Sequence, residues 1–258
     1  MNFLINKYLI LELIKIEFTQ NYKRSFVGLG WMLFLPIIQS FVWIFLQKSG
    51  LLNPGELKVN YIAYVLIGTL LWQLYNQSYD VLGNCINTSI KTFTQGFIPV
   101  FYIIAAKYTL IVARFAISGA INILLIYIFA EGSLNILLFV ISIIPFMLFC
   151  FTMGIFMSMM EVVNTDLYIL GKEFNKFLLF LTPIIYSPKF NSSIIQTIIE
   201  YNPLSYFIAI PRDLLLSNPN NFSMSIFFIL TGIVVVLFIL NLLVYNKRVS
   251  ILIEKLIE

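Results

Sequence analysis

The chain has 258 residues, of which 60% are hydrophobic and 11% charged, with mean hydropathy +0.93 and a formal net charge of +4. A soluble domain carries about 25% charged residues to face water, so this composition cannot coat a soluble globule and lipid must cover much of the surface. The chain has no histidine, the commonest metal ligand and general base, its two cysteines form no CxxC pair, and so small a charge calls for no nucleic-acid partner.

Residues 3 to 20 are apolar, with Lys7, Glu12, Lys15 and Glu17 interspersed and no signal-peptide pattern. Leu4, Leu11, Ile14 and Phe18 fall on one line at helical spacing, while Leu9, Leu13 and Ile16 fall elsewhere. The pattern predicts a helix lying at the membrane interface. The alternative is a seventh, imperfect span, which four charges make costly.

A crossing needs about 20 mostly apolar residues. Candidate spans run from Val27 to Phe45, Tyr61 to Tyr75, Tyr108 to Ala130, Leu134 to Met160 and Phe222 to Tyr245. A blurred fifth span, Phe174 to Tyr186, precedes the last; reaching back to Tyr168 brings in Lys172, Glu173 and Lys176. The prediction is an all-α, six-span membrane protein with no internal repeat and one domain over 1–258. Its parts are an interfacial segment (1–25), spans one to five (26–187), an outer segment (188–219) and the last span with its tail (220–258).

Lys and Arg near span ends set the orientation. With the N-terminus inside, cytoplasmic segments hold Lys7, Lys15, Lys23, Arg24, Lys91, Lys107, Lys172, Lys176, Lys247, Arg248 and Lys255. Outer segments hold only Lys48, Lys58, Lys189 and Arg212. Both termini are expected in the cytoplasm.

Two segments break the pattern. From Asn76 to Pro99 the chain is polar, and Ile86, Ile90, Phe93 and Phe97 form one apolar stripe on a short helix. That stripe either packs on its own domain or docks a partner. From Thr182 to Pro219 come five prolines, 183, 188, 203, 211 and 219, enclosing two apolar pieces too short to span, Ile194 to Tyr201 and Leu204 to Ile210. These are expected to be re-entrant helices or parts of a folded outer loop.

Residues suited to catalysis are few. Asp80, Glu161, Asp166 and Asp213 sit at span ends or in loops, so no catalytic residue or metal ligand is assigned. No phosphate-binding G-x-x-x-x-G-K-[ST] loop occurs. Gly28 and Gly30 suit close helix approach rather than a nucleotide. Arg114 lies about two turns beyond Lys107 and is read as snorkelling or salt-bridged at the inner mouth. Trp31, Phe34, Phe41, Trp43 and Phe45 read either as an interfacial belt or as ring faces along a saccharide conduit.

Tyr22-Lys23-Arg24-Ser25, Gly28-Leu29-Gly30-Trp31 and Leu35-Pro36 follow the N-terminal segment. Later come Leu181-Thr182-Pro183-Ile184-Ile185-Tyr186-Ser187-Pro188, Tyr201-Asn202-Pro203-Leu204 and Arg212-Asp213. In order and spacing this resembles, over nearly the whole chain, the type-2 permeases of ABC exporters that move O-antigen, capsular polysaccharide or teichoic acid. The resemblance implies a homodimer in the bacterial inner membrane, paired with two copies of a cytoplasmic ATPase that binds ATP and Mg; this chain itself would bind no cofactor. It implies ATPase coupling through Tyr22, Lys23, Arg24, Ile86, Ile90, Lys91, Phe93 and Phe97. It implies a channel lined by Trp31, Phe34, Phe41, Trp43, Phe177 and Phe180, and an outer gate of Pro183, Tyr186, Pro188, Asn202, Pro203, Arg212 and Asp213. The chain departs from the family at Gln95-Gly96, where an aromatic-Pro pair is common, and its basic residues there reduce to Lys91. The alternatives are a type-2 permease for a drug or lipid, a membrane-embedded glycosyl or acyl transferase, and a channel or secondary transporter. The last usually shows repeated halves or midplane charges.

Overall fold

The computed structural model describes residues 2–22, 30–89, 100–129, 133–188, 193–218 and 222–257. Every regular element among them is helical. In chain order these are α1 (Asn2–Tyr22), α2 (Gly30–Lys48), α3 (Tyr61–Gln77), one π-helical turn (Ser78–Leu82), α4 (Val100–Phe129), α5 (Ile136–Val163), α6 (Thr165–Leu178), α7 (Ser193–Tyr201), α8 (Pro203–Leu215) and α9 (Met224–Ile257). Three stretches, Phe101–Ile128, Ile136–Val163 and Met224–Tyr245, are long and apolar enough to cross a membrane. At 1.5 Å per residue the shortest is about 33 Å, against a hydrocarbon core of about 30 Å. The expected all-α character and membrane helices are present, with three such helices among the described residues against six expected spans.

Helix ends depart from the apolar segments for physical reasons. In lipid the cheapest partner for a backbone group is its own helix, so helices run on through polar residues. Helix α3 passes Tyr75 to Gln77, continues as the π turn, and residues 85–89 are again helical. The polar stretch after Asn76 therefore begins as helix rather than as a connection. Helix α4 starts at Val100, well before Tyr108, and takes in Lys107. Helix α6 does the opposite. It stops at Leu178 although apolar residues continue to Tyr186, because Pro183 lacks a donor and pushes its predecessor out of helical geometry. Its 14 residues give about 21 Å, short of a crossing.

Helix α3 is the post of the bundle. Every residue from Ala63 to Trp72 is buried, with α2, α4, α5 and α8 packed around it. A helix enclosed on all sides can be apolar all round, and its few polar groups become glue between helices. The Ser40 and Thr69 hydroxyls lie 2.7 Å apart, joining α2 to α3, and Asn122 Nδ2 of α4 donates to Leu66 O at 3.4 Å. Helix α5 approaches the π turn closely at Gly154, where a methyl would sit 2.8 Å from Ser78 O.

Helix α1 lies along α4 on a face made by Ile10, Leu13, Ile14 and Glu17, of which Leu13 is buried. Glu17 Oε1 is 3.5 Å from Lys107 Nζ. This corrects the line expected from spacing: Ile14 belongs to the packed face, whereas Leu11 and Phe18 are exposed. The buried Leu13 and the Glu17–Lys107 ion pair lie on the same face of α1. Helix α9 packs on α5, with the Phe238 ring beside Phe151 and Asn241 Nδ2 donating to Thr152 O at 3.2 Å, and leaves most of its circumference bare.

Candidate functional site

Residues 179–188 form an irregular strap laid against the start of α3. Outside a helix, each strap carbonyl must find another donor. Phe180 O accepts from Tyr186 Oη (2.5 Å) and Leu181 O from Asn202 Nδ2 (3.2 Å). Pro183 O accepts from Arg212 Nη1 (2.5 Å) and Tyr64 Oη (3.2 Å), and Tyr186 O from the same Tyr64 hydroxyl (2.8 Å). The Ser187 N–H donates to Pro54 O (2.7 Å), which ties the strap to the α2–α3 connection. Gly68 makes room on α3: a methyl there would lie 2.6 Å from Ile184 O.

Helix α8 supplies the charge. Its start is fixed by Asn202, whose Oδ1 accepts from Leu204 N–H (3.0 Å), with Pro203 at the first helical position. The same Asn202 amide donates to Thr182 Oγ1 (3.0 Å), so one residue caps α8 and holds the strap. Arg212 and Asp213 are 0% and 1% exposed. Burying an ion costs several kcal/mol unless it is paired and hydrogen-bonded; Arg212 is paired and bonded through Nε and Nη1, while its Nη2 is buried with no hydrogen bond. Arg212 Nε lies 3.1 Å from Asp213 Oδ1, and the guanidinium carbon sits 3.6 Å over the centre of the Tyr64 ring. Asn218 Nδ2 donates to Asp213 Oδ1 at 3.4 Å. Only a planar guanidinium can stack on a ring and donate sideways in two directions.

The residues expected at an outer gate therefore converge. Pro183, Tyr186, Asn202 and Arg212 belong to one bonded unit, Asp213 neutralises it, Pro203 starts α8, and Pro188 is the last residue of the strap. Arg212, counted from sequence among the charges of an outer segment, is buried within the protein. Tyr64 was not singled out. Its only signal is a phenol in an apolar run, which needs a hydrogen-bond partner when buried.

Other expected sites are dispersed. Phe34, Phe41, Phe177 and Phe180 are exposed and Trp43 is half-buried, so within one chain these rings enclose no passage. The side chain of Trp31 lies outside the described residues. Ile86 is completely enclosed. Tyr22 ends α1. Lys23, Arg24, Ile90, Lys91, Phe93 and Phe97 lie outside the described residues. Arg114 is half-buried on α4.

At the other end of the bundle, Cys85 is buried and unbridged, as is Cys150. Burial pushes the Cys85 thiol up to about 11, with the Lys107 ammonium opposing. Among the described residues no cluster of three His, Cys, Asp or Glu side chains could hold a metal.

Compared with known proteins, the chain matches no family model and no curated protein.

Proposed function

We propose that this chain is the permease subunit of an ATP-driven ABC exporter that moves a lipid-linked polysaccharide, such as O-antigen, across the bacterial cytoplasmic membrane. The observation that carries the reading is the convergence at Tyr64. The later phrases of the resemblance, Leu181–Pro188, Tyr201–Leu204 and Arg212–Asp213, are far apart in sequence yet share one hydrogen-bonded unit. Motifs that work as a unit give their order and spacing a physical reason.

In this reading α2, α3, α4, α5, α6 with its strap, and α9 are the six spans. Helix α1 lies at the cytoplasmic face and both termini are cytoplasmic. Helices α7 and α8, with the strap, form the outer gate. Two copies bound the path, and their exposed rings Phe34, Phe41, Phe177 and Phe180 offer faces along which sugar rings slide without strong binding. Two ATPase subunits carry ATP and Mg and engage the chain at its cytoplasmic end.

The test is to co-express the tagged chain with the ATPase encoded beside it and purify from mild detergent. The expected product is an assembly of two copies of each, hydrolysing ATP only when the ATPase is present. Deleting the gene should remove surface glycan while its lipid-linked form accumulates inside. A chain that purifies alone as a monomer, in cells whose glycan survives the deletion, overturns the reading.

A further inference from the structure

Helix α6 has two faces. Leu167, Leu170, Phe174 and Phe177 recur at helical spacing and are 48% to 68% exposed. Tyr168, Gly171, Lys172 and Asn175 occupy the other face and meet α3 and its π turn in antiparallel order. Asn175 Nδ2 donates to Asn76 Oδ1 (2.8 Å), and Lys172 Nζ lies 3.4 Å from Asp80 Oδ1. Asn76 Nδ2 donates to Asp80 Oδ2 at 3.4 Å, closing the group. Two glycines flatten the contact: a methyl on Gly171 would lie 2.8 Å from Tyr79 Oη, and one on Gly83 2.9 Å from the Tyr168 ring.

Helix α6 is also a separate rod. Asn164 is extended (φ −157°, ψ 108°) between α5 and α6, and its side chain caps α6 by accepting from Asp166 N–H and Leu167 N–H. At its far end α6 runs directly into the strap. This unit is fastened to the post α3 at two places of unequal quality. At the strap end, Tyr64 and Arg212 hold it from wholly buried positions with bonds as short as 2.5 Å. At the π-turn end Asn175 is buried, but the ion pair is not: the Lys172 and Asp80 side chains are 44% and 33% exposed. A charge-assisted bond closes to about 2.7–2.9 Å when well made, so 3.4 Å is a loose pair, and Asp80 Oδ1, buried with no hydrogen bond, gains water when the pair opens. It also sits on a π turn, where the regular helical bonds are already exchanged and which recurs at functional sites.

We propose that α6 is a movable leaf that turns about an axis running from Asn164 to the strap, with the Lys172–Asp80–Asn76–Asn175 group as the latch that opens and the Tyr64–Arg212 clamp as the fastening that stays. The leaf stands on the geometry alone. Only its place in a transport cycle rests on the permease reading, and a distance measured on the chain itself fails or succeeds independently of that reading.

The experiment places spin labels at Leu170→Cys on α6 and Val236→Cys on α9, both exposed. The native Cys85 and Cys150 are fully buried and do not take label. Labelled chain is diluted with unlabelled chain in lipid vesicles, so that only distances within one chain count. The parent should give one narrow distance. Asp80→Asn should add a second component at a different distance, and the swap Asp80→Lys with Lys172→Asp should abolish it. Glu173→Gln, which removes the exposed Glu173–Lys176 pair, should leave the parent distance. Superimposable parent and Asp80→Asn distributions overturn the proposal, as does a swap that fails to restore the parent distance. If Asp80→Asn does not accumulate as folded protein, the swap decides: a parent-like distance supports the latch and a displaced one refutes it.

Discussion

In α3 every residue from Ala63 to Trp72 is buried, whereas only 11% of the apolar window of α9, Met224–Tyr245, is buried. Both segments are apolar runs in the sequence, but their solvents differ. Helix α3 is surrounded by other helices, so each side chain must fit a particular neighbour: Tyr64 beneath the strap, Gly68 against Ile184, Thr69 against Ser40. Helix α9 meets α5 along one stripe and presents Phe228, Ile229, Val236 and Leu240 outward. Lipid asks of that surface only that it be apolar. Sequence hydropathy reports apolarity and is blind to which solvent supplies it.

The sharpest way to break this comparison is at the clamp that locks α3 to the strap. Arg212→Ala strands a buried Asp213 and takes a donor from Pro183 O. Removing one partner of a buried pair costs about 3–5 kcal/mol. Denaturant unfolding in mixed micelles should show that loss, and Arg212→Lys should recover only part of it. A lysine cannot lie over the Tyr64 ring while donating to both Asp213 and Pro183. An unfolding curve unchanged by Arg212→Ala would mean the clamp holds nothing.

A smaller loss is expected from Gly68→Ala. The new methyl meets a backbone oxygen, Ile184 O at 2.6 Å, rather than the flexible end of a side chain. Overpacking of this kind costs about 1–3 kcal/mol, and the same unfolding assay measures it. Tyr64→Phe comes next. It keeps the ring under Arg212 but deprives Tyr186 O of its hydroxyl donor, while Pro183 O retains Arg212. One carbonyl left short of a partner is worth ~1–2 kcal/mol. Hydrogen exchange at the strap amides, Ser187 above all, should speed up. Unchanged exchange would place the strap's stability elsewhere.

Much of this was legible in the sequence, for reasons that also mark where reading stops. Pro183, Pro188 and Pro203 announce breaks in the helix, and the structure has the strap and the short helices α7 and α8 there, although α8 continues through Pro211. The Asn202-Pro203 pair reads directly as a cap followed by a first helical residue. Tyr64 did not read, because its partners are backbone carbonyls of residues 183 and 186, and a carbonyl carries no side-chain letter. The burial of Arg212 did not read for a related reason: a charge between prolines carries no mark of burial, and α8 is buried along nearly its whole length. The face of α1 did not read because apolar residues surround that helix, and the face that packs on α4, with Leu13 and Glu17, carries no pattern that sets it apart in the sequence.

The smallest expected effect is also the one with the opposite sign. Gly232 of α9 is exposed, and a methyl added there meets nothing within 4 Å. Glycine inside a helix costs roughly 0.5–1 kcal/mol relative to alanine, through backbone freedom lost on folding. Gly232→Ala should therefore stabilise the chain by up to that amount in the assay that shows Gly68→Ala destabilising it. The two substitutions are chemically identical, so the sign reports only what each helix faces. A loss at Gly232 would mean that something other than lipid lies against this side of α9. Small residues admit close helix approach in membranes, so the neighbour to look for would be a helix of another chain, and cross-linking through Gly232→Cys would find it.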